Sequence, residues 1–154
     1  MKGARTRLEN TMLRMKCLSL IAGLALVCPG AAFAALPALS VHVTNALPNT
    51  GTVEVTLFSS EEAFLNEAYL QQSGEASESG EFTAEFAGLE EGEYAVTVIH
   101  DENGNQTYDP GVLGFGREGL GYSNNVRPWF GRPDFDDVKI TVKSVSTRIE
   151  IRLD

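Results

Sequence analysis

From Leu39 to Leu153 the chain keeps returning to an apolar–polar alternation of period two, and that pattern admits few folds. The stretches "LSVHV" (39–43), "TVEVTL" (52–57), "FTAEF" (82–86) and "YAVTVIH" (94–100) each place an apolar set on one side of an extended chain. Those sets are Leu39, Val41 and Val43, then Val53, Val55 and Leu57, then Phe82, Ala84 and Phe86, then Tyr94, Val96 and Val98 with His100. "VKITVK" (138–143) and "RIEIRL" (148–153) add Val138, Ile140, Val142, Ile149, Ile151 and Leu153. Successive side chains of a strand face opposite ways, so each stretch reads as a strand with one buried face. Strands of this kind joined by turn residues predict an all-β fold, a single antiparallel β-sandwich of immunoglobulin-like layout.

Two segments between the strands read differently. "SSEEAFLNEAYL" (59–70) has Ser59 with Glu62 three residues on, the arrangement of a capping box, and Phe64, Leu65 and Ala68 at helical spacing. It predicts one short helix crossing over the sandwich. "QQSGEASESG" (71–80) is small and polar and predicts an exposed loop.

The first 34 residues read as an export signal rather than as part of the fold. Arg14 and Lys16 precede the apolar run "CLSLIAGLALVC" (17–28), and "AFA" (32–34) offers small residues for cleavage. The run is shorter than the roughly 20 residues of a membrane span. Leu26 and Val27 ahead of Cys28 do not suit lipid attachment. The expectation is a signal peptide over 1–34 and one domain over 35–154, periplasmic or extracellular, with no membrane insertion after cleavage. Both cysteines, Cys17 and Cys28, would leave with the signal, so the domain would have neither disulfide nor thiol nucleophile. Seven basic and twenty acidic side chains would remain, a net charge of −13, which repels nucleic acid.

Residues 101–137 show almost no alternation. A structureless stretch of that length inside a small domain is either functional or disordered. Its aromatics (Tyr108, Phe115, Tyr122, Trp129, Phe130 and Phe135) predict order, as a cap over one end of the sandwich.

"GLEEGEYAVTVIHDENGNQTYD", "LGFGREGLGYSNN" and "FGRPDFDDVKI" together resemble a secreted bacterial family, domain of unknown function 2141, over about Leu39 to Leu153. The resemblance implies a single β-sandwich similar to transthyretin-like or carboxypeptidase-regulatory-like folds, and it implies no established activity.

Three chemistries present themselves. "DENGNQTYD" sets Asp101, Asn103, Asn105 and Asp109 at positions 1, 3, 5 and 9 of a calcium loop, with the Thr107 carbonyl at position 7. Gln106 stands where that loop has glycine, and Val112 where it has a bidentate acid. A closing acid would come from Glu118, Asp134, Asp136 or Asp137. The same residue types also make Asx turns, which need no ion. Calcium is thus one reading and a self-bonded turn the other.

Tyr122, Asn124, Asn125, Trp129 and Phe130 form the second set. They read first as packing that pins the cap. Alternatively they make a stacking platform with amide hydrogen bonds for a glycan, a peptide or an envelope protein. The third possibility is catalysis, by a hydrolytic or metal-dependent enzyme using His100 and nearby acids. Ser123 lies outside any nucleophile-elbow motif, and the histidines His42 and His100 lack zinc-site spacing. His100 follows the inward parity of Val96 and Val98, which predicts a histidine at the end of the core supporting a loop. Binding without catalysis is the expected role.

Overall fold

Each alternating stretch becomes a strand in the computed structural model of the chain, which describes residues 37–111 and 117–154. The proposed signal peptide, both cysteines, Val112 and Phe115 lie outside the described residues. Eight strands are seen among the described residues: β1 (Ala38–Thr44), β2 (Thr52–Phe58), β3 (Leu70–Gly74), β4 (Phe82–Ala87), β5 (Gly92–Asp101), β6 (Gly119–Tyr122), β7 (Ile140–Val142) and β8 (Thr147–Arg152). No helix among them is long and apolar enough to cross a membrane.

The strands form two sheets facing each other, the all-β sandwich that the alternation predicts. Sheet A runs β4-β1-β8, and sheet B runs β3-β2-β5, with β6 and β7 sharing the far edge of β5. One pairing departs from the antiparallel expectation: β1 and β8 are parallel, with Val41 opposite Ile149 and Val43 opposite Ile151. Parallel neighbours need a long connection between them, and here nearly the whole domain is that connection. The inward sets meet as predicted except at Val138, which precedes β7 and packs on the outer face of sheet B. Leu39, Val41 and Val43 of β1, Val53, Val55 and Leu57 of β2, Val96 and Val98 of β5, and Ile151 of β8 are all fully enclosed. Each such side chain contributes about 1.5–3 kcal/mol by leaving water.

Sheet B is also covered on its outer face. There Phe58, Phe64, Ala95, Tyr122, Phe135 and Val138 form a second buried cluster. Phe64 meets Phe58 and Phe135 edge-on, at centroid distances of 5.4 and 5.9 Å. Central strand β5 is therefore buried on both sides.

The helix expected from Ser59 is only a hydrogen-bonded turn. The Ser60 hydroxyl, rather than that of Ser59, accepts the Ala63 N–H at 3.2 Å. Leu65 then takes a left-handed φ of 59° and stops propagation. The chain has to come back at once, because Tyr69 N–H bonds the Leu57 carbonyl at 2.8 Å and β3 pairs with β2. The one α-helix among the described residues is α1 (Phe135–Val138), inside the cap. The polar segment expected to be a loop begins as strand β3, and the cap contains strand β6.

Each edge of sheet A carries one side-chain amide, from β3 on one side and from the cap on the other. Gln72 of β3 donates to the Glu85 carbonyl at 2.6 Å and accepts the Glu85 N–H at 2.9 Å, on the free edge of β4. Asn125 donates to the Glu150 carbonyl at 3.0 Å and accepts the Arg152 N–H at 2.8 Å, on the free edge of β8. Each amide thus satisfies one C=O and one N–H on an otherwise bare sheet edge.

Candidate functional site

The loop after β5 is organised by three carboxylates, those of Asp101, Asp109 and Glu118. Asp101 Oδ1 accepts the N–H groups of Gly104 at 2.8 Å and Asn105 at 3.2 Å, and Oδ2 accepts that of Gln106 at 2.8 Å. Those N–H groups, that of Gln106 foremost, hold the Asp101 carboxyl below the usual aspartate range. Asn103 and Asn105 repeat the device, their side-chain oxygens accepting the N–H groups of Asn105 and Thr107 at 2.9 and 2.8 Å. Their amide nitrogens converge on Asp109 Oδ2, at 2.6 and 2.9 Å. Gln106 takes the left-handed φ of 60° that a glycine would adopt at no cost.

Glu118, one of the candidate closing acids, does reach this loop. It is buried, and it accepts the N–H groups of Glu102 at 3.1 Å and Asp109 at 3.0 Å. Asp136 pairs with Lys139 at 3.1 Å instead. The sequence thus brings Asp101, Asn103, Asn105, Thr107, Asp109 and Glu118 together, as nested Asx turns. Among the described residues no three His, Cys, Asp or Glu side chains are grouped to hold a metal ion. The asparagine oxygens face backbone N–H groups and the amide nitrogens face Asp109, so the donor set does not fit calcium in this arrangement.

The residues weighed for catalysis stay apart. His100 Nε2 meets the Thr50 carbonyl at 2.7 Å, and Nδ1 accepts the Leu47 N–H at 3.4 Å. With the Leu47 N–H on Nδ1, His100 carries on Nε2 the ring hydrogen that meets the Thr50 carbonyl. It supports the β1–β2 loop from the end of the core. Ser123 is fully enclosed, accepts the Val96 N–H at 3.0 Å and donates to the Val138 carbonyl. It fills the gap on the β5 edge between β6 and β7. Four strand positions separate Val96 from His100, about 13 Å, so Ser123 and His100 share no reacting centre.

The cap residues divide by role. Tyr122 is buried in the outer cluster, as a packing role requires. Asn124 donates to the carbonyls of Asp137 and Lys139 at 3.1 and 3.0 Å, and Asn125 is held on β8 as described. Both amides staple the cap to the sandwich rather than face a ligand. Trp129 and Phe130 overturn the packing expectation, being 90% and 84% exposed. Their rings lie 6.2 Å apart and nearly perpendicular. A stapled loop thus presents two bare rings to water.

Beside that loop the outer face of sheet B opens into a cleft of about 510 Å³. Its floor is the cross-strand row of Thr56, Thr97 and Tyr122, paired through β2, β5 and β6. Leu65, Tyr108, Pro110, Gly131 and Arg132 wall it, with Glu54 at one side. Burial pushes the Tyr122 phenol above its ordinary range, the neighbouring Tyr108 adds to this, and the Arg132 guanidinium opposes it. Thr56, Thr97 and Arg132 were absent from the candidate site residues of the sequence, and Tyr108 was named there only among the cap's aromatics. The two threonines sit at the polar positions of alternating strands, which read as solvent-facing, and only the cap overhead turns that face into a cleft.

Residues 41–150 match the family described as an uncharacterized protein conserved in bacteria, domain of unknown function 2141. No curated protein and no solved structure matches the chain.

Proposed function

The chain belongs to the domain of unknown function 2141 family, and on that premise we propose that it is an exported, non-enzymatic binding module acting at the bacterial envelope. Its ligand sits in the cleft over sheet B, with Trp129 and Phe130 as the lip. One observation carries this reading: two adjacent large rings stand almost fully in water on a loop whose root is pinned by Asn124 and Asn125. A rigid mount for exposed aromatic rings reduces the ordering cost of binding. The cleft volume lies within the roughly 300–1,000 Å³ of small-ligand sites. The leader sequence supports export. The enzymatic alternative has less behind it, because His100 and Ser123 are each committed to backbone groups.

The chain has a single tryptophan, so its fluorescence reports on the lip directly. Titration with a panel of envelope glycan fragments and short peptides should find a ligand that shifts Trp129 emission to the blue. Ile99 of β5 also lines the cleft and is half-buried, so Ile99→Phe, which adds a ring there, should weaken that ligand by at least about tenfold, or about 1.4 kcal/mol, with the melting temperature kept. A panel without any response, or a ligand indifferent to Ile99→Phe, contradicts the reading.

A further inference from the structure

Arginine is concentrated where this acidic chain faces its cleft. Of the seven basic residues beyond position 34, Arg132 lines the cleft, and Arg117 and Arg127 line a smaller adjoining cavity of about 210 Å³. The two cavities share Tyr108, Leu120, Tyr122 and Gly131. Their side-chain carboxylates are Glu54 and Asp154. Arg127 and Arg117 both reach Asp154, at 2.6 and 3.5 Å, whereas Arg132 has no ion-pair partner among the described residues. Cations thus outnumber acids here, three to two, on a domain where acids outnumber cations twenty to seven.

The floor adds a second, independent observation. Thr56 and Thr97 are more than nine-tenths buried, yet neither hydroxyl has a side-chain hydrogen bond among the described residues. Both residues line the cleft. Enclosed hydroxyls with free valences complement a ligand that itself carries hydroxyl groups.

Resting on the binding reading above, we infer that the cleft takes a sugar ring bearing a carboxylate, a uronic acid unit of a glycan. Arg132 holds the carboxylate, since a guanidinium fork matches its two oxygens. Thr56, Thr97 and the Tyr122 and Tyr108 phenols bond the ring hydroxyls. Trp129 and Phe130 receive the apolar face of the next sugar.

Trp129 fluorescence tests this with three probes: trigalacturonate, its full methyl ester and inorganic phosphate. The acid form should bind at least tenfold tighter than the ester, and the gap should shrink in about 0.5 M salt, where charges a few ångströms apart are screened. Arg132→Gln should abolish the gap at an unchanged melting temperature, and Arg132→Lys should restore part of it. Equal binding of acid and ester overturns the assignment of an acidic sugar while the cleft stands as a site. Phosphate displacing the sugar at equal concentration overturns the sugar class. Silence to all three probes overturns the inference too, and the wider panel then decides separately whether the cleft binds anything.

Discussion

Trp129 and Ser123 sit a few residues apart in the cap at opposite extremes of exposure, and their substitutions should differ accordingly. Trp129 touches little, so Trp129→Ala should change stability by less than about 0.5 kcal/mol, as surface changes do, and not by the roughly 3–5 kcal/mol of a core ring. Ser123→Ala leaves the Val96 N–H and the Val138 carbonyl without their partner, which should cost about 1–3 kcal/mol. Denaturant melts of the two variants measure both, and the reverse order would place Trp129 in a core. Asp101 makes a prediction in pH. Its depressed carboxyl stabilises the fold fully above the ordinary aspartate pKa of about 3.9, and that contribution fades as pH falls through the lower folded value. The natural protein should therefore out-melt Asp101→Asn at neutral pH, with the difference closing below about pH 4. A difference that persists unchanged at pH 2 would mean that the carboxylate charge does not hold the loop.

At the scale of elements, one side-chain amide sits on each bare edge of the three-stranded sheet, where an incoming strand would pair. Gln72→Ala should cost about 1 kcal/mol and leave the β4 edge open, so that dimers appear with rising concentration in size-exclusion runs. A strictly monomeric Gln72→Ala would remove the protective role. The same elements account for what the sequence concealed. In β6 the period of two is present, but its inward residues are Gly119 and Gly121, which give no apolar signal. Gly121 has to be glycine, because a Cβ there would sit 2.6 Å from the Ile151 side chain. Strand β3 is hidden similarly, since its inward position opposite Val55 is Gln72. The helix over 59–70 looked plausible from its cap and spacing, and it lost to the hairpin pairing that pulls Tyr69 back to Leu57.

For the whole molecule, alternation was enough to find the sandwich and its core, because period two with one apolar face has few other uses. The cap's position was legible too, as the long stretch without alternation. Its chemistry was not, since Asn124, Asn125, Trp129 and Phe130 carry the same residue types whether they bind a ligand or a neighbouring strand. Only the fold separates the two asparagines, which bond backbone, from the two rings, which face water. The cleft itself was invisible for a further reason: its floor comes from β2, β5 and β6 and its roof from the cap, so no contiguous stretch records it. The account stands or falls on where a ligand lands. Backbone amide chemical shifts followed by NMR during a trigalacturonate titration, or with the tightest member of the panel, locate it directly. The shifts should gather around Thr56, Thr97, Tyr122 and residues 127–132, with Gly104 to Thr107 unmoved. Shifts centred on the Asp101 loop, or on the polar face of sheet A around His42 and Arg148, would contradict it.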